Sequence, residues 1–142
     1  MKQILFIVIG AVFVAGGLIG CATPFRAPPD VAHIALERVD SSVVLVEKIW
    51  LERKSGQLVV RGYVVKRLGV TDTTQTRLAV TLFDADGHVL RSSTEPFAPA
   101  QIPRGHRMSG YAQYRVVLDP LPPATARIEV RAQEEGIASP AP

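Results

Sequence analysis

The sequence predicts an all-β protein folded as an antiparallel two-sheet sandwich, and three observations carry that prediction. Between residues 31 and 132, short runs rich in Val, Leu and Ile succeed one another, several in strict alternation with polar residues. Turn chemistry separates them at short spacing: Lys54-Ser55-Gly56-Gln57, Asp84-Ala85-Asp86-Gly87 and three groups of prolines. No segment demands a helix, so about six or seven strands are left to bury one another, with Greek-key connections expected.

Met1-Lys2-Gln3 is a short positive start, and residues 4–19 are an uncharged apolar run. Together they have the parts of a secretory signal. The run falls short of the roughly 20 residues that span hydrocarbon, and Gly10, Gly16, Gly17 and Gly20 weaken a permanent helix. A cleaved signal is therefore expected rather than a transmembrane anchor. The run closes on Leu18-Ile19-Gly20-Cys21, which holds the single cysteine of the chain. This stretch resembles the bacterial lipobox, where a signal peptide is cut before a lipidated cysteine. The resemblance implies diacylglycerol on the Cys21 sulfur, cleavage after Gly20 and acylation of the new amine, which leaves no thiol for a disulfide or a metal. Each buried methylene contributes about 0.8 kcal/mol, so two or three chains make release from the membrane very slow.

The expected organisation is thus a signal peptide at 1–20, an acylated cysteine and tether at 21–30, a sandwich domain at 31–132 and a disordered tail at 133–142. Pro24, Pro28 and Pro29 make the tether extended. At about 3.1 Å per residue it holds the domain roughly 25 Å from the lipid head groups. The residue after the cysteine is Ala22 and not the aspartate associated with inner-membrane retention. The resemblance therefore favours a lipid anchor in the outer membrane, facing the periplasm. Removal of residues 1–20 takes Lys2 from sixteen basic side chains and none from thirteen acidic ones, a balance near neutrality. Nucleic acid is not an expected partner. The positive mean hydropathy is partly the leader's contribution.

Along the domain, residues 31–39 fit a strand through Ala32, Ile34 and Leu36, and a helix through Val31, Ile34, Ala35 and Val39. The strand is preferred because strands follow. Residues 43–51 and 58–67 should pair as a hairpin across Lys54–Gln57, with Gly56 free to adopt positive φ. Residues 68–76 are polar and Thr-rich, long enough to carry the chain to the other sheet. Leu78, Val80 and Leu82 alternate inward along 77–84, and 88–94 returns across Asp84–Gly87 as a second hairpin. Pro96, Pro99 and Pro103 make 95–105 a loop or edge segment. Residues 108–118 form a long strand with Ala112, Tyr114, Val116 and Leu118 on one face; 124–132 supplies the last strand, with Ile128 and Val130 inward.

Gly62 in a Val-rich strand, the stretch Leu78-Ala-Val-Thr-Leu-Phe-Asp-Ala-Asp-Gly87, and Ile102-Pro-Arg-Gly105 ahead of a long strand together resemble the immunoglobulin-like domains of the FxLYD type. The likeness covers residues 59–117. Phe83-Asp84 stands where that family has Tyr-Asp, and Lys66-Arg67 where it commonly has Asn. It implies an immunoglobulin-like sandwich, and such domains serve mostly as exported or surface modules.

Asp84-x-Asp86-Gly87 has the opening of a calcium loop, but no third acidic ligand or bidentate Glu follows at the required spacing, so a hairpin turn is expected. His106 and Met108, two apart on a strand, would combine with His88 or His33 into a soft copper site, the alternative function to weigh. No Gly-x-Ser-x-Gly surrounds Ser92, Ser93 or Ser109, and a dispersed triad of Ser109, His106 and an aspartate has no recognisable setting. The expectation is a non-enzymatic module without cofactor. Strand parity turns Arg61, Arg77, Arg115, Arg127 and Arg131 outward, with Arg67. Such a face suits an anionic envelope component or an acidic protein surface, because guanidinium forks match carboxylate and phosphate. A merely solvated face is the alternative.

Overall fold

The computed structural model of the protein describes residues 26–104 and 110–135. A 3-10 turn, Pro29–Val31, leads into seven strands: β1 Ala35–Val39, β2 Val44–Lys54, β3 Gln57–Lys66, β4 Thr76–Phe83, β5 Val89–Glu95, β6 Tyr111–Val117 and β7 Arg127–Glu134. They form two sheets, ordered β1-β7-β4-β5 and β2-β3-β6. All pairs are antiparallel except β1 with β7. Both hairpins, β2–β3 and β4–β5, stay within one sheet, whereas the connections β1–β2, β3–β4, β5–β6 and β6–β7 cross between sheets. This is an immunoglobulin-like sandwich, as the alternating runs and their turns predict.

Core and surface follow from the two-residue period. In β4, Thr76, Leu78, Val80 and Leu82 are buried, and their neighbours are partly exposed. In β6, Ala112, Tyr114 and Val116 are buried between exposed residues. The β4 row faces the other sheet, where the β6 row is joined by Val44, Val46, Leu51, Val60 and Val64 in the same core. Each buried Leu or Val stabilises the fold by about 1.5–3 kcal/mol before conformational entropy is counted.

Four departures from the sequence-based elements have local causes. The first strand begins at Ala35, not Val31, because Pro29 presets the backbone for a turn in which the Val31 amide donates to the Pro28 carbonyl and the Ile34 amide to that of Val31. Val31 and Ile34 are still buried, as plugs rather than strand residues. Ordered structure also reaches back into the expected tether: Ala27 packs on the core and Asp30 forms an ion pair with Arg53. At the other end β7 continues through Gln133 and Glu134, opposite Arg77 and Thr76, where a frayed tail was expected. β4 starts at Thr76, so its partner keeps pairing. Finally, the proline-rich segment after β5, expected as a loop or edge segment, bridges β6 at Ala98 opposite Gln113 and also buries Phe97 and Ile102 in the core.

The strands give the sandwich two distinct ends. The entry end holds Pro29–Val31, the β2–β3 hairpin, the β4–β5 turn and the β6–β7 connection. The far end holds the β1–β2, β3–β4 and β5–β6 connections and the close of β7. Ten residues of β3 separate them by about 30 Å. Far-end loops are laced together: the Thr73 hydroxyl donates to Ala100 O at 2.6 Å and accepts from the Ile102 amide at 2.9 Å, and Gln101 Nε2 donates to Thr71 O at 2.7 Å. Among the described residues no helix is long and apolar enough to cross a membrane.

Candidate binding surface

The outer face of β2-β3-β6 is built as cross-strand rows. Residues opposite one another share a face, so from the far end downward the rows are Leu45, Val65, Tyr111; then Lys48, Tyr63, Gln113; then Trp50, Arg61, Arg115; then Glu52, Val59, Val117. A β-bulge between Val46 and Lys48 sets the register of the lower rows. It also exposes the Lys48 carbonyl to the interior, where the Tyr114 hydroxyl donates to it at 2.9 Å. Tyr114 reaches that far only by crossing Gly62, its register partner on β3. A Cβ at Gly62 would lie 1.9 Å from Lys48 O and 2.2 Å from the Tyr114 hydroxyl. Burial pushes the Tyr114 phenol well above its usual range, so it stays a neutral donor.

Above this support the aromatic rings touch, one pair tilted and one edge to face. Trp50 and Tyr63 have centroids 5.4 Å apart at 50°, and Tyr63 and Tyr111 are 5.4 Å apart at 83°. Trp50 is buried, while Tyr111 is 55 % exposed. Arg61 lies 5.9 Å from the Trp50 ring centroid and pairs with Glu52 at 3.0 Å. Burial raises the Glu52 pKa, but hydrogen bonds from Arg61 and Trp50 outweigh it and hold the carboxyl below its usual range. Arg115, directly opposite Arg61, is exposed and has no carboxylate partner among the described residues. Two like charges in one cross-strand pair work against the sheet.

Beside the top rows lies an open groove of about 850 Å³, lined by Leu45, Glu47, Lys48, Tyr63, Val65, Lys66, Arg67, Leu68 and Tyr111. Leu68 stands fully exposed at its rim. Lys66 Nζ donates to Ile102 O at 2.9 Å and Arg67 Nε to Ser41 O at 2.7 Å, so both cations are held in place with further donors left over.

The five arginines singled out from sequence do not share one face. Arg61 and Arg115 lie on β2-β3-β6; Arg77, Arg127 and Arg131 lie on the opposite face of the sandwich, on β4 and β7. There each has an acid: Arg77 pairs with Glu135 at 3.1 Å, Arg131 with Glu129 at 2.9 Å, and Arg127 with Glu37. Arg127 also stacks 4.0 Å from the Phe83 ring centroid. That face is charge-balanced. Parity places Glu129 beside Arg127 and Arg131 on β7, but it could not reveal the other two acids, which come from β1 and from the residue after β7.

Asp84, Asp86 and His88 form a compact acidic group. Its geometry is that of a capped turn: Asp84 Oδ1 accepts from the Asp86 and His88 amides, both at 2.9 Å, and Oδ2 meets His88 Nδ1 at 3.1 Å. The His88 amide bond above all holds the Asp84 carboxyl below its usual range. His33 and His88 are exposed at the entry end. Ser92 shares a 3.0 Å hydroxyl contact with Thr81. Cys21, His106, Met108 and Ser109 lie outside the described residues. Sequence reasoning missed Leu68, Tyr63 and the groove; the only signal for Leu68 was an apolar residue opening a polar connection.

No family model, curated protein or solved structure matches this chain.

Proposed function

We propose that the chain is a lipoprotein of the bacterial cell envelope, anchored through acyl chains on Cys21, and that it serves there as a non-enzymatic binding or structural module. The observation that carries the reading is Leu18-Ile19-Gly20-Cys21, placed directly after a short apolar run and holding the single cysteine. Ala22 favours the outer membrane, with the domain facing the periplasm. The layout of the domain supports the same reading. Its chain enters at one end, and the groove opens beside the other, towards which an anchored module would meet something other than its own membrane. The outer face of β2-β3-β6 is the proposed contact surface. Cell fractionation tests the anchor: the wild-type chain should sediment with membranes and need detergent for release, and Cys21→Ala should appear in the soluble fraction or remain unprocessed. A Cys21→Ala chain that is cut and membrane-bound like the wild type would contradict the reading.

A further inference from the structure

We propose that the groove and the Arg61–Arg115 pair together dock an extended, acidic segment of a partner protein that inserts one apolar side chain between Tyr111 and Leu68. The inference rests on the module being a binder, and it names the chemistry of what is bound.

Two observations fix that chemistry. The groove floor, Leu45, Val65 and Tyr63, is apolar, and Tyr111 and Leu68 leave apolar surface in water that no core contact requires. Around it stand three cations, Lys48, Lys66 and Arg67, against one acid, Glu47. Two are already positioned by backbone carbonyls, so little ordering is left to do when a carboxylate arrives. Lower on the same face Arg61 is already held by Glu52, whereas Arg115 opposite it has no carboxylate partner among the described residues, so an incoming carboxylate would pair with Arg115. Four residue steps along β6 carry Tyr111 to Arg115, about 13 Å, which an extended segment of about five residues spans. The aromatic rings meet at 50° and 83° rather than in the common plane that a polysaccharide platform needs.

The test is panning of a random peptide library displayed on phage against the purified full chain. Enriched peptides should combine Asp or Glu with a large apolar residue, and their binding should weaken with salt. Leu68→Glu and Arg115→Glu should each lower affinity roughly tenfold, the size of a single interface contact near 1.4 kcal/mol. The melting temperature should not fall in either variant, since Leu68 and Arg115 are exposed and Arg115→Glu replaces a like-charge cross-strand pair. Thr81→Glu, on the opposite face, should leave affinity unchanged. Absence of enrichment, basic consensus peptides, or equal binding by Leu68→Glu would overturn the proposal. So would anionic phosphatidylglycerol vesicles that bind wild type but not the two variants, since they would assign the surface to a membrane. Panning reads the groove whether or not Cys21 is acylated, so its failure is separate from failure of the anchor.

Discussion

Gly62 and Tyr114 are one structural unit. Any side chain at Gly62 meets the Lys48 carbonyl and the Tyr114 ring at distances no rotamer relieves. Gly62→Ala should therefore destabilise by about 3 kcal/mol or more, as overpacking against backbone does. Tyr114→Phe keeps the ring but leaves the Lys48 carbonyl without its donor, at a cost of about 1–2 kcal/mol. Urea unfolding of both variants checks this ordering; an Ala variant as stable as wild type would contradict it. Asp84 gives a pH prediction. Its folded-state pKa lies below the ordinary 3.8, so its contribution is fully present above that value and is lost as pH falls through the folded value. Between pH 5 and pH 2, about the range over which such carboxylates titrate, Asp84→Ala should lose less stability than wild type. Equal acid sensitivity would remove Asp84 from the account. The Asp-Gly turn was legible in sequence because Asn and Asp cap turns wherever they occur. The Gly62–Tyr114 contact was not, because it depends on a bulge that no local signal announces.

At the scale of elements, the hairpins were readable since both halves of each signal, alternation and turn, are contiguous. Elements that depend on distant partners were less so. β1 is short because its pairing starts only where the Ala35 amide reaches Ala126 O, and β7 runs on because β4 does. Phe97 and Ile102 lie among prolines, which mark the segment as irregular without telling that it returns two side chains to the core. Ile102 is fully buried and held from both sides, its amide by Thr73 and its carbonyl by Lys66. Ile102→Ala should cost about 2–4 kcal/mol. Chemical denaturation would show it, and a loss under 1 kcal/mol, about what a loop anchor at the surface gives, would mean that the β5–β6 segment does not seal the far end.

For the whole molecule, the pattern of a sandwich was legible and the distribution of its charge was not. Parity tells that an arginine leaves the core but not which sheet carries it or which acid waits there. The structure separates a neutralised face, with Arg77, Arg127 and Arg131, from one where Arg115 and a groove remain available. It also sets the groove beside the end opposite the chain's entry. That polarity has functional meaning if the N-terminal side is held at a membrane, so the account turns on Cys21. Intact mass of the mature protein from membranes of its host tests this most directly. The account predicts a chain that starts at Cys21 and carries added mass of two or three acyl groups. A mature chain with an unmodified Cys21 thiol would contradict it.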